Sequence, residues 1–372
     1  MSTIPVELKA VHRQSVSDLL VQTGFAESTG GSVRGWSALQ LAPRCWRAAY
    51  YRLVRGLQSA RPSDAMDLGV LYHACMEAHY SSGGVNTYKP LEALASAVPE
   101  LVAKARRLVD AKLRKYGRQE AETWDIRAVE REVVSIIEGK ATVGAYKGRK
   151  IKAPVSSKFD AIIAKREPGA PYEPFGPVAR GVWAADWKTT RALTRDKVAG
   201  FGLDPQLLLM AHNWRAAKLD QVFGPLNGFI IELVVNTKEV NLERIEVSVD
   251  DRDIDRFMEF LTPYAINLES MFGLPEVERD DPKHWPMNYA GCHNAWGLCN
   301  YFDACESHGA FESLYVVPPD FKPARGRVEQ KLRQCKPRTP KAMAPTAETR
   351  QIELPLATNA APWPVQQTER DV

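Results

Sequence analysis

Apolar and polar positions change rhythm twice along the chain. From about Trp36 to Tyr116 apolar residues recur at helical spacing. The segments are WSALQLAPRCWRAAYYRLVRG, then DLGVLYHACMEAHY from Asp67, then a basic stretch over residues 91–116. Ser37 with Gln40 predicts a capping box for the first helix, and Pro43 predicts that it splits into two short pieces. After Glu120 the pattern becomes that of strands: residues 126–137, 157–164, 182–188, 227–236 and 244–249 are β-branched or alternating. The Pro/Gly cluster KREPGAPYEPFGPVARG between the second and third reads as a long hairpin loop, which makes those strands antiparallel neighbours. Asp204-Pro205 supplies N-cap and first position for a helix reaching about Leu219, and a further helix is predicted over residues 251–272.

These elements predict one domain over residues 35–315: a helical part (35–120), an α/β core (121–262) and a cysteine segment (263–315). Residues 1–34, ending in STGGSVRG, are expected to be flexible, and residues 316–372, Pro-rich and basic and then polar, to form a disordered tail. At 45% hydrophobic and 25% charged residues the composition excludes a fibrous or wholly disordered chain. No apolar run approaches the roughly 18 to 20 residues that cross a bilayer, and MSTIPVELKAVHRQ lacks the look of an export signal. A cytoplasmic protein without a membrane partner is expected.

The net charge of +4 is unevenly spread. Residues 320–341 carry eight Lys or Arg against two acids, and residues 101–118 carry seven against Asp110 alone. On a helical wheel Lys104, Arg107, Arg114, Lys115 and Arg118 fall within an arc of about 100°, a stripe along which a polyanion could bind, or simply a solvated face. Of six cysteines, Cys292, Cys299 and Cys305 are clustered near the end of the core. A reducing compartment makes ligand chemistry the better reading than disulfides. A fourth ligand is then required, from His293 or from a remote cysteine.

The strand GVWAADWKTTR carries the candidate chemistry. Period-two geometry places Asp186 and Lys188 on one face, roughly 7 Å apart along the strand. Upstream, KFDAIIA places Asp160 on a neighbouring strand, where the hairpin could bring its carboxylate beside Asp186. Two converging carboxylates call for a hard divalent cation, Mg²⁺ or Mn²⁺, although an acid and a lysine at a strand end also form plain surface ion pairs. Gly69, His73 and Glu77 share one helical face, with His73 a possible further metal ligand, and Gln206 opens the helix after the loop.

Read in order, these pieces resemble the PD-(D/E)XK nuclease superfamily, in particular its RecB-like branch with an iron–sulphur cluster. The resemblance covers about Ser37 to Cys305 and implies a restriction-endonuclease-like mixed sheet flanked by helices, with an Fe-S-stapled C-terminal segment. It implies Asp160, Asp186, His73 and the carbonyl of Trp187 as holders of Mg²⁺ or Mn²⁺, Lys188 and Gln206 as catalytic partners, and an additional acid at Glu130 in preference to Glu132. It implies Cys45, with Cys292, Cys299 and Cys305, as ligands of a 4Fe-4S cluster. The implied function is a DNA nuclease, often an exonuclease, of recombination, repair or phage DNA processing. No P-loop pattern is present, so unwinding would fall to a separate helicase, or a single-strand annealing protein would accompany the chain. The alternatives are a non-cleaving DNA-binding module and a structural zinc protein. The chain departs from the pattern at Met210, where many relatives place a tyrosine.

Overall fold

The chain is described by a computed structural model over residues 16–24, 34–59, 63–166, 181–294, 297–307, 315–317 and 321. Among the helices that precede the sheet are α1 (Val16–Gln22), α2 (Asp64–Ser81) and α3 (Pro99–Lys112). Five strands follow in chain order across one sheet: β1 (Trp124–Lys140), β2 (Lys150–Lys165), β3 (Val182–Thr190), β4 (Leu226–Val235) and β5 (Asn241–Val247). All neighbours are antiparallel except β3 and β4. A parallel pair requires a crossover, which contains α4 (Pro205–Ala216); α5 (Asp251–Phe272) comes after β5.

Strand alternation divides the apolar residues between two cores, one on each face. On β4, Phe229, Ile231 and Leu233 join the core that includes α4 and α5. Ile230 and Val234 join the one that includes α1, α2 and α3. The mixed sheet flanked by helices is the architecture expected of a restriction-endonuclease-like fold.

Several local expectations shift. The first helix starts at Trp36 behind Gly35, with no side-chain cap, so Ser37 forms no capping box. Trp36 instead packs edge-on against Phe257 at 5.6 Å. α2 begins at Asp64, earlier than predicted. The basic helix breaks into Lys89–Leu94 and α3, because Pro99 can open a helix but not sit inside one. β1 and β2 extend past their β-branched centres, the polar residues following on a ladder that continues to the Lys140↔Lys150 pair.

Residues 16–22 also depart from the flexible N-terminus expected: α1 buries Val16 and Leu20, one helical turn apart, against the α2 core. Arg34 is buried too, bonding Glu269 at 2.7 Å. The loop over 167–180 and nearly all of the 316–372 tail lie outside the described residues. Tyr315–Val316 pairs with Gln58–Ser59. No helix among the described residues is long and apolar enough to cross a membrane.

Gly181 leads into β3 at φ +70°, where an added Cβ would lie 2.5 Å from the Pro225 carbonyl oxygen. Both the backbone conformation and the contact exclude a side chain. Gly181→Ala is expected to destabilise the fold by about 2–4 kcal/mol in urea unfolding.

Candidate active site

β2 and β3 are paired only at Ala161↔Ala185, Ile162↔Ala184 and Ile163↔Trp183. One step further Asp160 and Asp186 would stand opposite, but there the ladder ends. The Trp187 N–H donates instead to Asp160 Oδ2 at 2.8 Å. The fork between the strands therefore carries both aspartates, each buried, at 8% and 4% exposure.

Alternation then sorts the side chains of β3. Asp186 and Lys188 face α4, where Gln206 stands on the first turn behind its N-cap Asp204. Gln206 Nε2 donates to Asp186 Oδ1 at 3.2 Å, and Lys188 Nζ donates to Gln206 Oε1 at 3.2 Å. Lys188 Nζ also lies 2.6 Å from Asp186 Oδ2. Trp187 points the other way, its ring 5.8 Å from that of His73 on α2.

His73 closes the fork from above. Its Nε2 lies 2.5 Å from the Trp187 carbonyl oxygen and its Nδ1 3.5 Å from Asp160 Oδ2. Two residues expected to be metal ligands, His73 and the Trp187 carbonyl, are here bonded to one another. Gly69, one turn before His73, lets α2 approach β3: an added Cβ would lie 3.1 Å from Thr189 Oγ1.

Glu130 completes the group. It lies on β1 between the Val129↔Ala161 and Arg131↔Phe159 pairs, opposite Asp160, and its φ of +51° interrupts the ladder there. A non-glycine residue in that region costs about 1–3 kcal/mol and often marks a functional site. Oxygens of Glu130 and Asp160 and a nitrogen of His73 all lie within 4.8 Å of one another. Glu130 also pairs with Lys158.

The electrostatics separate the two aspartates. Burial pushes Asp160 up, but His73, the Trp187 N–H and Lys188 outweigh it and hold the carboxyl below its ordinary value. Burial lifts Asp186 above its ordinary value against the pull of Lys188, and repulsion from Asp160 adds to the rise. Burial works against the charge on Lys188, yet Asp186 and Asp204 keep it above the ordinary lysine value. Burial likewise opposes protonation of His73, and Asp160 and Asp186 overcome it. Clustered oxygen donors with one imidazole and mutual carboxylate repulsion together fit a hard divalent cation.

The predicted stripe is only partly free. Arg107 bonds Asn236 Oδ1 at 2.7 Å, Lys115 bonds the Leu242 carbonyl at 2.5 Å, and Arg118 pairs with Glu122. Lys104 and Arg114 are exposed. A π-helical turn over Leu113–Gly117 shifts the helical phase, so one wheel does not describe the segment. Met210 is buried in the core and cannot face a substrate.

Sequence reasoning missed a charged cluster behind the site. Lys112 Nζ lies 2.5 Å from Glu120 Oε2, and Arg244 joins Glu120 to Glu232, 2.6 Å from the latter. Tyr72 bonds Glu232 at 3.1 Å, and Tyr80 stacks on Trp187 at 5.4 Å. The signal was a lone acid, Glu232, inside the apolar run NGFIIELVVN.

The cysteine segment returns to the first helices. The Asn288 N–H meets Cys45 Sγ at 3.5 Å and its side chain bonds the Arg44 carbonyl at 2.9 Å, while the Cys299 N–H bonds the Cys292 carbonyl at 2.8 Å. Burial pushes the Cys305 thiol up to about 11, with Cys45, Cys299 and Cys292 adding to the rise. Among the described residues no three thiols lie within 4.8 Å of one another. The His293 side chain lies outside the described residues.

A five-stranded mixed sheet with an acid pair and a lysine at a strand fork defines a class of nuclease. The chain belongs to the PD-(D/E)XK nuclease superfamily, whose sequence profile matches residues 36–306. No curated protein matches it significantly. Among solved structures, a protein of Eubacterium rectale provisionally designated an exonuclease is similar at 15% identity, over 72% of this chain and 87% of that one, with a TM-score of 0.35. The protein SSO0001 is similar at 15% identity over 52% and 73% of the two chains, with a TM-score of 0.23. Membership rests on the profile match.

Proposed function

We propose that the chain is a Mg²⁺- or Mn²⁺-dependent deoxyribonuclease, acting on strand ends in recombination, repair or phage DNA processing. The carrying observation is the meeting of Asp160, Asp186, Lys188, Gln206, His73 and Glu130 around one strand fork. Asp160, Asp186, Glu130 and His73 would hold the cation, with the Trp187 carbonyl free to join once His73 releases it. The bound cation supplies polarisation of the scissile phosphate and a lowered pKa for water. Lys188, held as a charged ammonium, opposes the negative charge that develops on the phosphate rather than acting as a base. Gln206 bridges Lys188 and Asp186 and fixes the ammonium in place. Exposed Lys104 and Arg114, with Arg107, Lys115 and Arg118 beyond them, supply sequence-independent attraction for the strand. A helicase or annealing protein would present that strand. Because every member of the acid, lysine and glutamine set is in place, the cleaving reading is preferred to a non-cleaving DNA-binding module.

The four cysteines are proposed as ligands of a 4Fe-4S cluster that ties the first helices to the end of the core. Their soft sulphur donors suit an iron–sulphur cluster, and the Asn288 N–H at Cys45 Sγ brings the cysteine segment back to that residue. Digestion of end-labelled single- and double-stranded DNA by anaerobically purified protein tests the function. Loss of label with Mg²⁺ or Mn²⁺ but not with EDTA is expected. Folded protein that cuts neither substrate with either metal refutes it.

A further inference from the structure

Beside the fork, β3 runs on past Lys188 into a small cleft. Its walls come from the start of α2, from α3 and from the ends of β3 and β4, and include Lys104, Thr189, Thr190, Arg191 and Asn236. Its one carboxylate is Asp64. Lys197 donates to Thr190 Oγ1 at 2.7 Å, and Arg107 bonds Asn236 from the far side at 2.7 Å. Four cationic side chains therefore surround two hydroxyls and an amide. Burial lowers Lys197 below the ordinary lysine value, and repulsion from Lys188 lowers it further. The cleft holds about 140 Å³, too small for a drug-sized ligand or cofactor, which takes about 300–1,000 Å³. A single phosphate group with its first waters fits.

Thr190 follows Lys188 by two positions, about 6.6 Å along the strand. That is on the scale of the spacing between successive phosphates in an extended nucleic-acid strand. We propose that this cleft binds the DNA phosphate adjacent to the scissile one, with Lys104 and Arg191 as its cations, Thr189 as a hydroxyl donor and Thr190, whose own hydroxyl donates to the Ala192 carbonyl at 2.9 Å, holding Lys197 at the rim. Resting on the nuclease reading, this assigns the cleft the task of fixing the register of the strand over the fork. Phosphate contacts of this kind position without reading sequence. Asn236, held by Arg107, joins the register device to the basic helix.

Binding in EDTA, where no metal-dependent cut intervenes, tests the proposal by fluorescence anisotropy with a labelled single-stranded 12-mer. The Lys104→Ala/Arg191→Ala protein is expected to flatten the dependence of log affinity on log salt by about 1.4, or about 0.7 per released counterion. In the unmodified protein, a methylphosphonate scanned along the 12-mer is expected to weaken binding on the order of tenfold at one position. In the double variant that penalty disappears, and Thr189→Val halves it or more. Both altered cations are exposed, so folding is expected to persist, checked by circular dichroism. An unchanged salt slope, a methylphosphonate penalty that survives in the variant, or no binding by the unmodified protein overturns the proposal. Cutting of DNA with metal alongside an unchanged slope sinks the cleft alone; a full cleft effect without cutting sinks only the nuclease reading.

Discussion

Asp186→Asn is expected to lower metal-dependent DNA cleavage at least about 10³-fold, a loss of about 4 kcal/mol of transition-state stabilisation, while the protein stays folded. The substitution keeps the shape and a carbonyl oxygen to accept from Gln206 Nε2, whose present bond is 3.2 Å. It removes the charge that faces both the proposed cation and Lys188. The folded state tolerates this because two opposed changes partly cancel. Lys188 loses its ion partner at 2.6 Å, but the repulsion between Asp160 and Asp186 also goes. A melting temperature within a few degrees of the parent, in metal-free buffer, is the expected result. Saturating Mn²⁺ raises the melting temperature of the parent by mass action and that of the variant much less. Metal-dependent digestion that survives in rigorously purified variant removes Asp186 from the site.

Cys45→Ala is expected to have the second large effect, on stability. Cys45 meets a segment 243 residues further along the chain. Cross-linking a loop of that length restricts the unfolded chain by about 5 kcal/mol in the loop-entropy view, a large part of the 5–15 kcal/mol that holds a domain folded. Loss of the cluster should therefore lower the melting temperature by about 10–20 °C and abolish absorption near 400 nm. Cys75→Ala is the control: Cys75 is buried in the α2 core, its thiol pushed up to about 12 chiefly by burial, and iron content should not change. Full iron and sulphide in the Cys45→Ala protein, or zinc in place of iron in the parent, sinks the cluster assignment.

The cluster and the acid pair differ in how they could be recognised. Asp186 and Lys188 share a strand, so a two-residue period places them together before anything folds. Their partners belong to other strands and helices. Glu130 and Glu132 both lie in AVEREVV, and alternation alone gives them the same face. Only the left-handed backbone at Glu130, opposite Asp160, brings its carboxylate to His73 and Asp160. Lys112 is one of the seven basic residues counted over 101–118, yet it is fully buried against Glu120. The π-helical turn that follows it cannot be read from an ideal wheel.

What the sequence alone determined is local and periodic: the strand and helix order, the shared face of Asp186 and Lys188, the N-cap at Asp204, and the separation of one cysteine from three. What only the tertiary structure decided is where ladders stop. The three-pair contact between β2 and β3, ending at the aspartates, sets the fork. The approach of α3 to the ends of β3 and β4 makes the cationic cleft. Period and propensity act over a few residues, whereas these features depend on strand register and helix docking between segments far apart in the chain, and no local pattern encodes them.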